Sequence, residues 1–242
     1  MITNKDFIKN FITNNKDKSV PYRWTHGATD YHLGDGLLIY AIIQYMRAKT
    51  CVCLGSGGGF IPRIMSQARK DLYEQEIFEG NSEWNWGDIG STIIVDADNG
   101  VGGETDWTKE DSFLRKNFYP RIILETTENA YYNFFVKEDI KIDYLHIDAD
   151  HSYKGVKLDF NLYSKILSPN GIISIHDTDL NYSKNHIITK DVSDQDHHEE
   201  YTNGPAKFIN EISKDWQRFD FFNEGIFPSK PSSTGLTLLR RA

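Results

Sequence analysis

A short apolar run, followed by a glycine cluster and an amphipathic segment, constrains the fold of this chain more than any other feature. Residues 49–54 are rich in Val, Cys and Leu, residues 55–59 read Gly-Ser-Gly-Gly-Gly, and apolar side chains recur at helical spacing over 60–70. This order predicts a strand, a tight turn and a helix. Such a unit is typical of sheets whose parallel strands are covered by helices.

The same alternation of apolar runs and helical patterns continues along the chain. It predicts a Rossmann-like, doubly wound α/β fold with a mostly parallel sheet and a C-terminal antiparallel hairpin. Further strands are predicted at 91–95, 121–124, 142–147 and 172–175, helices at 33–46, 128–136, 153–167 and 205–216, a turn at 169–171, and a terminal hairpin ending in 235–240.

Polar segments interrupt this pattern and define the predicted domain organisation. We expect a single α/β domain over 33–242, preceded by an N-terminal segment or lid at 1–32. The stretches 73–90, 99–117 and 181–204 are interpreted as loop insertions near the site. Their tryptophans, Trp84, Trp86 and Trp107, are candidates for a lid over the site.

Composition excludes several classes of partner. The chain has 27 basic and 35 acidic residues and a net charge of −8, so no nucleic-acid partner is expected. No segment approaches the roughly 20 apolar residues of a membrane span, so we expect no membrane partner and a cytoplasmic protein. Cys51 and Cys53 lie in the apolar run at 49–54, which favours a buried thiol pair over a redox site.

The glycine cluster predicts a cofactor of the nucleotide type. Glycines between a strand and a helix let a ligand approach the backbone, although a merely tight turn is the alternative. The spacing G-x-G-x-G differs from the G-x-G-x-x-G of dinucleotide enzymes. Asp96, at the end of the next predicted strand, is the candidate for binding ribose hydroxyls, with Asp98 as the fallback. A surface aspartate that simply closes the strand is the other interpretation of Asp96.

Acids and histidines follow two predicted strands, at 148–151 and at 176–179. The carboxyl ends of neighbouring parallel strands meet at one sheet edge, which is where such sheets bind ligands. Oxygen ligands there suit Mg²⁺ or a similar hard cation, whereas the alternative is that the acids only cap loops and helices. His151 and His176 are each candidates for a general base, and one of them can serve instead to orient the acids.

Two motifs carry a resemblance to a known family: IDYLHIDADHSYKGV at 142–156 and LSPNGIISIHDT at 167–178. Together they resemble class I S-adenosylmethionine-dependent methyltransferases, especially the small-molecule and sugar O-methyltransferases related to macrocin O-methyltransferase and to cephalosporin hydroxylase-like proteins. The resemblance covers roughly residues 34–240. It implies that the glycine loop holds the methionine part of the cofactor, that Asp96 holds its ribose and that Thr127 lies near its adenine.

The chemistry of the residues and this resemblance together give each predicted site residue a role. S-adenosylmethionine is the implied cofactor, and Mg²⁺ is an implied auxiliary ion. The implied cofactor-binding residues are Gly55, Ser56, Gly57, Gly59, Asp96, Thr127 and Asp148, the catalytic residues His151, Asp148 and His176, and the metal ligands Asp148, Asp177 and His176.

The chain departs from the family pattern at two places. His176 precedes Asp177 where relatives of the macrocin enzyme carry two adjacent acids, so His176 would replace one metal ligand. Cys53 stands where an acid often precedes the glycine turn, and Asp35 or a nearby loop is the candidate that compensates for it.

The implied activity is methyl transfer to a hydroxyl of a small molecule or sugar, with His151 as base and a metal ion that positions the hydroxyl. A homo-oligomer is compatible with this activity. One alternative is a nicotinamide-dependent oxidoreductase, although Tyr153 and Lys157, the Tyr-x-x-x-Lys spacing, lie beside the wrong strand end. The other alternative is a cofactor-binding scaffold without catalytic activity.

Overall fold

The strands of this computed structural model form one sheet. The structure describes residues 26–28, 32–80, 92–97, 109–179, 204–222 and 233–242. The strands are β1 (Cys51–Leu54), β2 (Thr92–Val95), β3 (Arg121–Ile123), β4 (Ile142–Ile147), β5 (Leu167–His176), β6 (Trp216–Phe221) and β7 (Leu236–Arg241).

The sheet has the strand order β3-β2-β1-β4-β5-β7-β6. Strands β1 to β5 pair in parallel, whereas β7 is antiparallel to both β5 and β6. Leu54 is in register with Val95 on one side and with Ile147 on the other, so β1, β2 and β4 end at the same level. The predicted mostly parallel sheet with a C-terminal antiparallel hairpin is therefore confirmed.

Helices cover both faces of the sheet because both faces are apolar. Side chains alternate across a strand, so Cys51 and Cys53 pack in one core cluster while Val52 and Leu54 pack in the other. Both cysteines are free and buried. The helices are α1 (Asp35–Met46), α2 (Phe60–Phe78), α3 (Phe113–Phe118), α4 (Thr127–Ala130, continued by a π-helical turn at Tyr131–Val136), α5 (Tyr153–Tyr163, followed by a 3-10 turn at Ser164–Ile166) and α6 (204–209).

Two of the predicted loop insertions contain helix. Helix α2 continues to Phe78 and so occupies the first part of the stretch 73–90. The sequence there is polar because only one face of the helix packs against the core. Leu72 is buried on that face, whereas Gln75 donates a hydrogen bond to Glu79 on the solvent-exposed face. Helix α3 falls at the end of the stretch 99–117, where Ser112 caps it by accepting a hydrogen bond from the Arg115 amide.

Two predicted boundaries near the C-terminal half are wrong. The predicted helix 205–216 ends at 209, and Trp216 begins β6, where it pairs with Arg241 and packs its ring against Phe160. The predicted turn at 169–171 lies within β5. The register of the pairing between β4 and β5 shifts between Ile142 and Tyr144 of β4. Residues 169–171 therefore bulge out of the ladder without ending β5.

No helix in the described ranges is long and apolar enough to cross a membrane. Residues 81–91, 98–108 and 180–203 lie outside the described part of the chain, as do Trp84, Trp86, Trp107 and Asp98. Most of the predicted N-terminal lid lies outside it as well, although 26–28 and 32 are described.

Candidate active site

A cavity of about 700 Å³ lies at the edge of the sheet where the parallel strands end. Its wall includes residues that follow five different strands, because the register brings these ends together. The wall segments that follow β1 to β5 are 55–58, 96–97, 126–128, 148–151 and 176–177.

The glycine loop depends on the absence of a side chain at Gly55. Gly55 has a φ of 76°, and a Cβ there would lie 2.0 Å from the backbone oxygen of Asp148. Only glycine therefore lets the β1 loop approach the β4 loop so closely. Gly55, Ser56 and Gly57 line the cavity, whereas Gly59, with a φ of 83°, closes the turn: its amide donates to the Ser56 carbonyl.

Asp96 lies on the cavity wall directly after β2, where the ribose carboxylate was predicted. Its Oδ2 accepts hydrogen bonds from the Ser56 amide at 3.0 Å and from the Ser56 hydroxyl. Its own amide donates to the Ile123 carbonyl of β3. The glycine loop and the end of β2 therefore hold each other in place.

Thr127 also lies on the cavity wall, and it is held from behind by helix α5. Its hydroxyl donates to Asp159 Oδ1, and its carbonyl accepts from the Tyr163 hydroxyl at 2.7 Å. Asp159 Oδ2 is buried and has no hydrogen-bond partner among the residues that the structure describes, and burial raises the pKa of this carboxyl to about 7. Sequence reasoning missed Asp159. The sequence feature that could have identified it is an acidic residue three positions after Val156, on the apolar face of α5.

Asp148, the residue after β4, is surrounded by four imidazoles. Its Oδ1 lies 3.2 Å from His151 Nε2 and 3.2 Å from His176 Nδ1. Its Oδ2 lies 3.7 Å from His26 Nε2 and 3.9 Å from His146 Nε2. The structure thus brings together the three predicted catalytic residues, Asp148, His151 and His176.

Asp177 completes this cluster from the end of β5. Its Oδ2 lies 3.4 Å from His151 Nδ1, and its Oδ1 lies 3.4 Å from His176 Nδ1. Its φ of 57° is in the left-handed region, which aspartate tolerates better than most residues. The Thr234 hydroxyl supports Asp177 by donating a hydrogen bond to its Oδ1. The oxygen of the same hydroxyl lies 3.0 Å from His176 Nε2.

The pKa values of the titratable groups in the cluster are shifted in different directions. Burial alone would lower the pKa of both His176 and His151, but Asp177 and Asp148 outweigh it and raise the two values to about 10 and about 9. Burial would raise the pKa of Asp148, but the facing histidines, led by His176, hold it well below its usual range. Burial lowers the pKa of His26 and of His146, which favours the neutral form of both rings.

His151 is the cluster member best placed to meet a substrate. Its side chain is 42% exposed, whereas those of His26, His146 and His176 are at most 6% exposed. It stands on the cavity wall between two carboxylates. An imidazole held in this way can exchange a proton with a bound hydroxyl.

Sequence reasoning missed His26 and His146. His146 lies two residues before Asp148 on β4, so strand alternation signals that both side chains point to one face. No local pattern signals His26, which reaches the site through a bridge pairing it with Ser233. Asp35, the candidate that compensates for Cys53, bonds instead to the Ser233 hydroxyl behind His176 and is not among the cavity-lining residues.

Tyr153 and Lys157 do contact each other, but away from the cavity. Lys157 Nζ donates to the Tyr153 hydroxyl, and both bond to Glu211 next to helix α6. Neither residue lines the cavity, so the pair does not form an oxidoreductase site there.

Comparison with known sequences decides the family. The family model described as a methyltransferase domain matches residues 52–178, which run from β1 to just beyond β5. This chain belongs to the methyltransferase domain family. The matched range contains the glycine loop and every cavity segment that follows β1 to β5, which places the site within the methyltransferase domain itself. No curated protein matches the chain.

Solved methyltransferases share the fold. An O-methyltransferase from Bacillus cereus in complex with SAH aligns with a TM-score of 0.65 at 11% identity, covering 100% of this chain and 93% of that one. The O-methyltransferase TomG from Streptomyces achromogenes, involved in tomaymycin synthesis and in complex with SAM, aligns with a TM-score of 0.62 at 11% identity, covering 97% and 89%. At such identities the likeness establishes the methyltransferase fold.

Proposed function

We propose that this protein transfers a methyl group from S-adenosylmethionine to a hydroxyl of a small molecule or sugar. The observation that carries the proposal is the cavity itself, in which a glycine-loop wall faces a histidine flanked by two carboxylates. The two structural neighbours, both O-methyltransferases in complexes with SAM or SAH, support the choice of cofactor and of oxygen as acceptor.

The part of the cavity wall formed by the segments that follow β1, β2 and β3 is assigned to the cofactor. The glycine loop from Gly55 to Gly59 would hold its methionine part, with Ser56 and Gly57 lining the cavity. Asp96 would bind the ribose hydroxyls, and Thr127, fixed by Asp159, would lie beside the adenine. This assignment leaves the wall at Asp148 and His151 for the acceptor.

The chain's own residues would orient the acceptor and take its proton. In-line displacement requires the hydroxyl oxygen to approach the methyl carbon opposite the sulfur, so positioning supplies much of the rate. Neutral His151 would accept the hydroxyl proton while Asp148 and Asp177 stabilise the imidazolium that forms. Because the pKa of His151 is raised to about 9, the ring must lose a proton before it can act as base.

The proposal includes assistance by a divalent cation. The predicted ligands Asp148, Asp177 and His176 do contact one another, and they adjoin His151. A cation there would lower the pKa of the acceptor hydroxyl and fix its position. Mg²⁺ remains a prediction, as do the homo-oligomer and the cytoplasmic location.

Calorimetric titration of the purified protein with S-adenosylmethionine, S-adenosylhomocysteine and NAD tests the proposal. We expect micromolar binding of the first two and none of NAD, with and without Mg²⁺. Binding of NAD alone would favour the oxidoreductase. Tight S-adenosylmethionine binding without transfer to any hydroxyl compound in an acceptor screen would favour the non-catalytic scaffold.

A further inference from the structure

The carboxylate of Asp148 faces two buried imidazole nitrogens across gaps too wide for hydrogen bonds. His26 Nε2 lies 3.7 Å and His146 Nε2 lies 3.9 Å from the same oxygen, Oδ2. Among the described residues, His146 Nε2 has no hydrogen-bond partner, and neither has Nδ1 of the buried His26. Such orphaned polar atoms are costly in a folded protein and call for an explanation.

Contacts within the core orient the ring of His146. Its Nδ1 lies 2.8 Å from Ser174 Oγ, which also accepts a hydrogen bond from the Tyr144 hydroxyl at 2.8 Å. The Nε2 of the same ring faces the Asp148 carboxylate. An ion bound by Asp148 would therefore lie next to this imidazole.

The distances suit a metal ion close to Asp148. Imidazole nitrogens and carboxylate oxygens bind such ions as Zn²⁺ at about 2.0–2.2 Å, which separates neighbouring ligand atoms by roughly 3–4 Å. One ligand atom from each of His26, Asp148 and His176 lies within 4.8 Å of the other two. His176 offers Nδ1, since its Nε2 is held 3.0 Å from the Thr234 hydroxyl in the manner of an oriented metal ligand.

The donor atoms favour one class of ion. Mg²⁺ takes oxygen ligands and retains water, whereas imidazole suits zinc, iron, nickel and copper. We propose that His26, Asp148 and His176 bind a divalent transition-metal ion, of the kind represented by Zn²⁺, in place of Mg²⁺. The ligands come from the N-terminal segment, β4 and β5, so the ion would tie three distant parts of the chain together at the acceptor end of the cavity.

A second group of potential ligands overlaps with the first and provides the contrast for a test. Asp148, His151 and Asp177 also bring ligand atoms within 4.8 Å of one another. This set has two carboxylates and lacks His26, so it is the better match for Mg²⁺. Replacing His26 or Asp177 therefore separates the two sites.

The test measures metal binding by protein that has been stripped with a chelator. Zn²⁺, Co²⁺ and Mg²⁺ are titrated by calorimetry, and the retained metal is measured after dialysis, for wild type, His26→Gln, Asp177→Asn and the control His32→Gln, which removes an exposed histidine outside the cluster. We expect one Zn²⁺ or Co²⁺ per chain, bound at least 100-fold more tightly than Mg²⁺. His26→Gln should weaken Zn²⁺ binding at least 10-fold, and His32→Gln should leave it unchanged.

Several outcomes would overturn the inference. They are equal or tighter binding of Mg²⁺, no binding of any ion, and Zn²⁺ binding that Asp177→Asn weakens but His26→Gln does not. If His26→Gln does not fold, the comparison of Zn²⁺ with Mg²⁺ in wild type decides. The inference rests on the proposed function only for the ion's place beside the acceptor. Titration with S-adenosylhomocysteine distinguishes the two failures, because the cofactor can bind when no metal does.

Discussion

Asp159 illustrates how burial sets the chemistry of a single residue. The carboxyl is buried at the cavity wall, with one oxygen bonded to Thr127 and the other without a partner in the described part of the chain. Its pKa is raised by burial from 3.8 to about 7, so folding favours the neutral form. The stability that this group contributes is therefore fully present below pH 3.8 and is lost as the pH rises toward 7.

Replacing Asp159 by Asn removes this pH dependence while keeping the shape of the side chain. We expect Asp159→Asn to raise the free energy of unfolding at pH 8 by roughly 1–4 kcal/mol, since one pKa unit corresponds to about 1.4 kcal/mol. At pH 4 the variant and wild type should differ little. Urea denaturation at both pH values measures the difference. The exposed control Glu138→Gln should change neither value, and an equal gain at pH 4 would contradict the prediction.

His151 is the residue on which the proposed proton transfer depends. Replacing it by Asn should lower the turnover number at least 100-fold, as is usual when a general base is lost. The affinity for S-adenosylhomocysteine should stay within about twofold, because the residues assigned to the cofactor are untouched. Initial rates with an accepted hydroxyl compound, together with calorimetry, measure the two effects. Unchanged turnover would remove His151 as the base, and His32→Gln is the matched control.

At the scale of elements, the turn after β1 depends on close contact with the loop after β4. A Cβ at Gly55 would overlap the Asp148 carbonyl, whereas one at Gly80, which has the same φ of 76°, would meet no atom of the described residues within 4 Å. Both replacements by Ala carry the cost of a left-handed φ, so the difference between them isolates the steric overlap.

We expect Gly55→Ala to lower the free energy of unfolding by at least about 2 kcal/mol more than Gly80→Ala does, because backbone must shift. It should also weaken S-adenosylhomocysteine binding, whereas Gly80→Ala should not. Chemical denaturation and calorimetry on both variants provide the comparison. Equal losses of stability would show that the loop yields without cost.

Elements whose signal is local could be predicted from the sequence, and elements fixed by tertiary contacts could not. Periodicity and glycine placement sufficed for β1 and for the start of α2. Trp216 was predicted to end a helix, but its pairing with Arg241 and its contact with Phe160 make it the start of a strand. In the site, Asp148 and His151 follow a readable strand, whereas His26 arrives from a distant segment that no spacing rule connects to them.

At the scale of the whole molecule, the two thiols lie in β1, a strand with a neighbour on each side in the sheet. Burial raises the pKa of Cys51 to about 12 and that of Cys53 well above its usual value. Neither can react as a thiolate while the sheet is intact, so their labelling reports unfolding of the whole domain.

Labelling with a thiol reagent at pH 8 should therefore be slow for both cysteines and should accelerate together with urea-induced unfolding. Addition of S-adenosylhomocysteine should slow it further, because a ligand that binds only the folded state lowers the unfolded population. Mass spectrometry of timed samples follows both sites. Rapid stoichiometric labelling without denaturant would show that β1 is accessible in the folded protein.

The place of β7 in the sheet has a consequence for how the chain is made. β6 is synthesised before β7, yet the sheet order puts β7 between β5 and β6. On the ribosome, the outer edge of β5 therefore stays open until residues 236–241 emerge, and an open edge invites wrong partners. Thr234, which holds His176 and Asp177, emerges just ahead of that strand. The strand that ends in His176 therefore gains its second neighbour only when the last strand of the described chain has been made.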